Sequence, residues 1–184
     1  IRGIELDIGY RSGGFSFGTG ASYNEAEIRR DFCAIANPQF DCTTPGNALL
    51  AAAGSRLPVT PKFKGNAVAR YEFPLGGWDG HVQFAANRTS GRRSDLRPVQ
   101  NANKGNLGGY TTADFSIGVK QDDAWSIEAY VTNLFDTRGI VNTGVQCIET
   151  VCGTPVTGST PTGGAFYDVV IKPRIIGLKV SRDF

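Results

Sequence analysis

Apolar and polar residues alternate along seven stretches of the chain, the pattern of a β-strand with one apolar and one polar face. In the first stretch Ile4, Leu6, Ile8 and Tyr10 share one face, and the residues between them are acidic or glycine. The sequence therefore predicts an all-β fold, an antiparallel up-and-down meander of about seven long strands. The predicted strands cover residues 1–11, 15–24, 62–73, 78–87, 112–120, 125–132 and 166–184.

The connections between these strands alternate between short and long. A β-sandwich has loops of mixed length at both ends, whereas an outer-membrane barrel has short turns on one side and long loops on the other. The alternation therefore favours a barrel. The tight turns fall at residues 12–14, 74–77 and 122–123, and the long loops at residues 25–57, 88–109 and 137–165.

Two local features modify this picture. A short helix is predicted near Asn47–Ala53, inside the first long loop. Pro173 interrupts the last strand, and because proline has no N–H to donate to a sheet, a bulge or a sheet edge is expected there.

The distribution of aromatic residues helps to decide whether the apolar face contacts lipid or a protein core. Most of the large aromatic side chains of the predicted strands lie beside the short turns, where a membrane barrel carries an aromatic girdle. Charges on the polar face fit a water-filled lumen, but they also fit the solvated face of a soluble sandwich, so both alternatives remain. The girdle residues are Tyr10, Phe15, Tyr71, Phe73, Trp78, Trp125 and Phe184.

Composition excludes several classes of protein. The formal net charge of +2 over 184 residues is too small to indicate nucleic-acid binding. The longest apolar run, Ala48–Ala53, is far shorter than the roughly 18 residues of a membrane helix. The chain contains no Met and opens within a strand pattern, so we expect it to be a piece of a longer protein.

Several motifs, in order, resemble the C-terminal part of the β-barrel of a TonB-dependent outer-membrane receptor. They resemble that family's Gly-x-Glu strand, its barrel re-entry segment, its Tyr-x-x-x-Asp strand, its Asn-Leu-Phe-Asp motif, its Pro-Arg-x-x-Gly stretch and its terminal aromatic residue. The matching stretches are Arg2–Leu6, Leu57–Pro61, Tyr110–Asp114, Asn133–Asp136, Pro173–Gly177 and Phe184.

The resemblance implies a 22-stranded transmembrane barrel in the outer membrane of a Gram-negative bacterium. Residues 1–184 would supply about strands 16 to 22, and the plug domain and the N-terminal part that contacts the TonB complex would be absent. The implied partners are outer-membrane lipid, the protein's own missing plug domain and barrel strands, and a small nutrient ligand. Phe184 resembles the signal that barrel assembly machinery recognises, although it also fits a simple interfacial aromatic.

The function that the resemblance implies is active, TonB-dependent uptake of a scarce nutrient, without enzymatic activity and without a resident cofactor. Siderophore-bound iron is weakly favoured, and haem, cobalamin and carbohydrate stay open. The alternatives are a passive porin-like outer-membrane channel and a soluble periplasmic β-sandwich binding module.

Four cysteines lie in two of the long loops. Cys33 and Cys42 are near each other in the first loop, and Cys147 and Cys152 in the third. Local disulfides in an oxidising compartment are the simplest interpretation. A zinc site formed by all four, free thiols and a pairing between loops are the alternatives.

Aromatic and cationic residues in or beside the loops are candidates for facing a ligand. Aromatic rings could stack on a chelate or a sugar, and arginines could attract an anionic ligand. The same residues could instead pack the loops together or remain solvated. The candidates are Phe32, Phe40, Arg92, Arg93, Phe166 and Tyr167.

Catalytic motifs are weak in this sequence. Gly14–Gly18 matches G-x-S-x-G, but it opens a strand and no helix follows, as a nucleophile elbow requires. The single histidine, His81, cannot form a multi-histidine metal site, and a polar position in the lumen or at a turn is expected for it. We therefore expect no catalytic or metal-ligating residues.

Overall fold

The computed structural model of the chain describes residues 1–121, 124–145 and 166–182. Its main element is one seven-stranded antiparallel sheet, in which each strand pairs with the next main strand along the chain. The predicted meander of seven strands is confirmed. The strands of this sheet are β1 (Arg2–Ser12), β2 (Phe15–Glu25), β5 (Phe63–Leu75), β6 (Trp78–Thr89), β9 (Tyr110–Lys120), β10 (Trp125–Thr132) and β13 (Ile175–Arg182).

The long connections contain short elements of their own. Each forms a two-stranded antiparallel pair outside the main sheet, and the second also contains a seven-residue helix. These elements are β3 (Phe32–Cys33) with β4 (Leu49–Ala51), β7 (Arg92–Arg93) with β8 (Asn106–Leu107), β11 (Ile140–Val145) with β12 (Phe166–Val170), and α1 (Pro98–Lys104).

The register of the sheet keeps all apolar faces on one side. One row runs across four strands, with Val82 opposite Ile117, Ile117 opposite Ala129, and Ala129 opposite Leu178. Residues directly opposite each other in paired strands lie on the same face. The apolar face is therefore continuous across the sheet, and the polar face lies on its other side.

Burial is reversed relative to a soluble protein. Leu178 on the apolar face is 68% exposed, whereas the side chain of His81 on the polar face is only 13% exposed. Among the described residues the only buried hydrophobic ones are Ala26, Ala51, Leu107 and Ala113. No second layer covers the apolar face within the described part of the chain, so this face fits contact with lipid and not a sandwich core.

Strand lengths and turns agree with a membrane-spanning sheet. Strands β1, β2, β5, β6 and β9 have 11 to 13 residues, and about 9–11 tilted residues cross a bilayer. The β5–β6 turn contains Gly76 and Gly77 with φ of 56° and 87°, as a two-residue hairpin turn with the twist of the strands requires. Across the described residues, no helix is long and apolar enough to cross a membrane.

The described girdle residues lie at the ends of strands beside the short turns. The rings of Tyr10 and Phe15 are 6.4 Å apart, and those of Tyr71 and Phe73 are stacked at 5.9 Å. At the β13 end, the guanidinium carbon of Arg182 lies 5.2 Å from the centre of the Trp125 ring. Phe184 and the predicted Asp122–Asp123 turn lie outside the described residues.

Two predicted elements differ from the structure, the helix in the first loop and the continuous last strand. The predicted helix at Asn47–Ala53 is instead a strand, Leu49–Ala51, paired with Phe32–Cys33. The Asn47 Oδ1 atom accepts from the backbone N–H groups of Ile35 and Ala48, and this cross-loop pairing overrides a local helical preference. The seven-residue helix, Pro98–Lys104, lies in the second loop and begins with proline, whose fixed φ suits a first helical turn.

The last strand is not continuous from residue 166 onward. Phe166–Val170 pairs with Ile140–Val145, and the chain rejoins the main sheet only at Ile175. Pro173 lies in the break between the two strands, near the irregularity predicted from its missing donor.

Candidate functional site

The three long loops extend from the same end of the strands, opposite the short turns, and form the candidate ligand-facing site. The first loop is closed by a disulfide between Cys33 and Cys42, with the two Cα atoms 5.2 Å apart. The predicted local pairing is confirmed for these two residues. Because both thiols are consumed, a zinc site using all four cysteines is excluded. Cys147 and Cys152 lie outside the described residues.

Hydrogen bonds brace the segment inside the disulfide ring. The Asn37 Nδ2 atom donates to the Asp41 carbonyl (2.7 Å), and the Asp41 N–H donates to Asn37 Oδ1 (3.0 Å). The Asp41 carboxylate accepts from the hydroxyl and the N–H of Thr43, and these bonds lower the pKa of Asp41. These bonds and the disulfide stabilise the shape that the loop tip has in this structure.

Phe32 and Phe40, two of the predicted ligand-facing residues, lie in this braced loop. They are 46% and 43% exposed. Phe40 has a φ of 56°, which is uncommon for a bulky residue. The Arg30 guanidinium lies 4.6 Å from the centre of its ring, a cation–π contact. Their contact with a ligand stays a prediction.

Arg92, predicted to face a ligand, is 5% exposed. Its Nη2 atom donates to the carbonyls of Ile140 (2.8 Å) and Val141 (3.1 Å) in β11, and its guanidinium lies 5.6 Å from the centre of the Tyr110 ring. In this structure the side chain joins the second loop to the third. Its predicted contact with a ligand would require this link to open.

Arg93 lies on the same two-stranded pair and also takes part in joining loops. Its carbonyl accepts from the N–H of Val59 (2.9 Å), at the end of the first loop. Its side chain is half-buried. All three loops are thus connected through adjacent positions of β7, a role that the sequence pattern did not reveal.

An ion cluster anchors α1 to the second loop. The Asp95 carboxylate accepts from Lys104 Nζ (2.8 Å) and from Arg97 Nε (3.2 Å). Burial by itself raises the pKa of Asp95, but the hydrogen bonds from Arg97 and Lys104 outweigh it and hold the pKa far below its ordinary value. The carboxylate therefore stays ionised at all physiological pH values.

The third loop brings Tyr167 next to Gly144. Tyr167 is 47% exposed, and its ring lies where a side chain at Gly144 would be. The backbone of Phe166 pairs with Val145. The hydroxyl of buried Thr143 donates to Asp168 (2.6 Å) and links the two strands. The predicted contacts of Phe166 and Tyr167 with a ligand stay predictions.

A group of polar residues at the loop side of β9 and β10, here called the rim cluster, was not predicted as a unit. It comprises Asp114, Asn133 and Asp136. The Asn133 N–H donates to Asp114 Oδ1 (2.8 Å), and its Nδ2 donates to the carbonyls of Thr137 (2.9 Å) and Lys172 (3.1 Å). Asp136 Oδ1 accepts from the Arg174 N–H (3.0 Å).

The polar face of the sheet carries a salt-bridge group and a histidine–glutamate contact. Glu72 pairs with Arg70 (2.8 Å) and Arg11 (3.6 Å), which joins β5 to β1 across β2. His81 Nε2 lies 3.1 Å from Glu128 Oε2 on this face, where a polar role was expected for it. Within the described residues, no three His, Cys, Asp or Glu side chains group as metal ligands.

The G-x-S-x-G stretch has no nucleophile-elbow geometry. Ser16 lies within β2, opposite Arg11 and Arg70, and the chain continues along the strand through Gly18. An elbow instead requires a sharp turn from a strand into a helix.

Comparison with known proteins shows which family of folds this sheet resembles. The family model "TonB dependent receptor-like, beta-barrel" matches residues 1–134. The crystal structure of the ferric yersiniabactin uptake receptor FyuA from Yersinia pestis matches 99% of the chain, with a TM-score of 0.66 and 19% sequence identity. The chain spans 23% of the FyuA chain. No curated protein sequence matches the chain.

Proposed function

The chain belongs to the TonB-dependent receptor-like β-barrel family, and from this premise we propose that it is barrel wall of an outer-membrane receptor for TonB-dependent nutrient uptake. Its seven strands would correspond to about strands 16 to 22 of a 22-stranded barrel. The plug domain and the part that contacts TonB would lie elsewhere in the whole protein.

The observation that supports this proposal best is the reversed burial of the single sheet. The apolar face is exposed, with Ile176 at 74% and Leu178 at 68%, while the side chains of His81 and Glu128 on the opposite face are 13% and 33% exposed. A soluble sandwich would bury that apolar face under a second sheet. A barrel wall turns it toward lipid and its polar face toward the lumen.

The three loops supply the outer surface at which a nutrient would first bind. The disulfide ring and the Arg92 and Arg93 links make this surface preorganised, which reduces the ordering cost of binding. FyuA is a ferric yersiniabactin uptake receptor. Siderophore-bound iron is therefore the first ligand class to test, before haem, cobalamin and carbohydrate.

The experiment is a growth and uptake assay in the native host. Strains lacking the full-length gene, or lacking tonB, are given ferric siderophores or haem as sole iron source, cobalamin, or maltodextrin. Loss of growth on one nutrient in both strains supports the proposal. Growth that needs the gene but survives loss of tonB would show a passive channel instead. Recovery of the full-length protein in the soluble periplasm would favour the binding module.

A further inference from the structure

Three motifs that are far apart in the sequence meet in the rim cluster. Asp114 belongs to the Tyr-x-x-x-Asp stretch, and Asn133 and Asp136 belong to Asn-Leu-Phe-Asp. Asn133 donates to the carbonyl of Lys172, just before Pro173–Gly177. Asp136 accepts from the N–H of Arg174, within that stretch. Nutrient uptake as such does not explain why these motifs are joined.

The pairing of β10 with β13 has a particular difficulty. The β1–β2, β5–β6 and β9–β10 pairs are joined by short turns, which fix the register of a hairpin. Strands β10 and β13 are instead separated by residues 133–174, which include the β11–β12 pair. A slip of two residues would leave the apolar residues of β13 on the apolar face, so patterning alone does not prevent it.

The rim cluster lies where the missing constraint is needed. The first pair of the two strands is Thr132 with Ile175, so Asn133 and Arg174 flank it directly. Asn133 binds the chain three residues before β13 begins, at Lys172, and Asp136 binds it one residue before, at Arg174. Asn133 and Asp136 both have positive φ, 49° and 50°, which turn the chain from β10 toward this contact.

A second contact inside the sheet depends on the same register. Tyr130 lies opposite Gly177, and its ring occupies the space that a side chain at Gly177 would fill. A two-residue slip would place Ile175 or Lys179 opposite Tyr130. Neither residue leaves that space open, so only the observed register accommodates the ring.

We propose that the rim cluster is a register lock, which fixes the alignment of β13 on β10 before the barrel is completed. Asn133 and Asp136 act as positioning residues, with Asp114 orienting Asn133 from β9. The position of β13 along β10 also determines the position of any strand that pairs with the other edge of β13. The cluster thereby determines the offset in register at which the barrel closes next to β13.

The test reads the register by cysteine cross-linking in the full-length protein, assembled in outer membranes. Ala129→Cys is combined in turn with Leu178→Cys, Ile176→Cys and Val180→Cys. Only directly opposed residues bring their Cβ atoms within disulfide reach. The 129–178 pair is expected to link in the native register, and the other two pairs report slips in either direction. Linked peptides are quantified by mass spectrometry.

Asn133→Gly tolerates the positive φ but removes the side-chain hydrogen bonds. We expect the ratio of shifted to native links to rise roughly tenfold, given the net worth of the bonds lost. Asn142→Gly is the matched control, because Asn142 is exposed in β11, and its ratio should equal that of the parent. An unchanged ratio in assembled Asn133→Gly protein overturns the proposal.

A milder variant keeps the test decisive if Asn133→Gly does not assemble. Asp136→Gly tolerates the positive φ of this position and removes the acceptor of the Arg174 N–H, and we expect a smaller rise in shifted links. An unchanged ratio in this variant would overturn the register lock. Because neither ligand nor TonB enters the assay, a failure here is separate from a failure of the proposed function.

Discussion

The guanidinium of Arg92 connects two loops through one nitrogen that serves two carbonyl oxygens. Burying a cation costs free energy that its hydrogen bonds offset, and a neutral replacement of Arg92 would lose both of these bonds. Arg92 therefore stabilises the contact between the second and third loops. A lysine ammonium could donate to the same carbonyls, but it lacks the delocalised guanidinium that lies over the Tyr110 ring.

Gly177 illustrates a constraint of space at a single residue. A methyl group at this position would overlap the Tyr130 ring, whereas Gly18, also on the polar face, has no atom within 4 Å of such a group. We predict that Gly177→Ala destabilises the folded full-length barrel by about 1–3 kcal/mol, the usual cost of overpacking. Gly18→Ala should be neutral or slightly stabilising.

Urea unfolding in detergent, followed by the mobility difference between heated and unheated protein on gels, measures this prediction. Equal midpoints for the two variants would contradict it and would imply that Tyr130 rotates away freely.

Asp95 gives the second loop a pH dependence with a definite sign. Its pKa is depressed in the folded loop, so its contribution to stability is complete above the unfolded value, about 3.9, and is lost as the pH falls below it. We predict that the loop at residues 92–107 loosens at acidic pH in the parent. Asp95→Asn should be looser by about 1–2 kcal/mol at neutral pH and much less pH-dependent.

Hydrogen exchange of this loop, measured from pH 3 to pH 7 and corrected for intrinsic rates, would test this prediction. Lys104→Met alone and in combination with Asp95→Asn completes a double-mutant cycle, which isolates the 2.8 Å contact. Additive effects of the two changes would rule out the coupling.

Strand β9 has one apolar and one polar face, so substitutions at neighbouring positions are expected to differ in cost. Phe115 and Ile117 lie on the apolar face, and Ser116 between them lies on the polar face, opposite Gln83 and Tyr130. We predict that Phe115→Arg and Ile117→Arg each destabilise by roughly 2–4 kcal/mol, because arginine is costly at the bilayer midplane. Ser116→Arg should cost much less.

Refolding of the full-length variants into lipid vesicles at a series of urea concentrations gives these energies. If all three substitutions cost the same, the assignment of the faces would be incorrect.

The main strands were predictable because each has one apolar face, which gives an alternation of apolar and polar residues that is visible in the sequence alone. The elements within the loops were not, since short pairs such as Phe32–Cys33 with Leu49–Ala51 are set by cross-loop hydrogen bonds and not by periodicity. The Cys33–Cys42 bridge followed from proximity in sequence. The role of Arg92 did not, because its acceptors are 48 and 49 residues away.

On the scale of the whole molecule, the sheet has two edges within the described residues. Strand β1 pairs only with β2, and all eleven of its residues are exposed, whereas β6 is paired on both sides. A barrel has no free edges, and an unpaired strand edge invites association with other chains. The exposed apolar face and the two unpaired edges are consistent with the proposed place of this sheet in the wall of a larger barrel.

Hydrogen exchange can compare β1 in two contexts. In the full-length protein in detergent, we predict that amides of both β1 and β6 exchange slowly, because neighbouring strands cover both edges of each. In residues 1–184 alone, about half of the β1 amides should exchange fast, since alternate N–H groups point away from β2, while β6 stays protected as the internal control. Slow exchange of β1 in the isolated chain would show instead that copies pair edge to edge, and cross-linking at low and high protein concentration would identify that association.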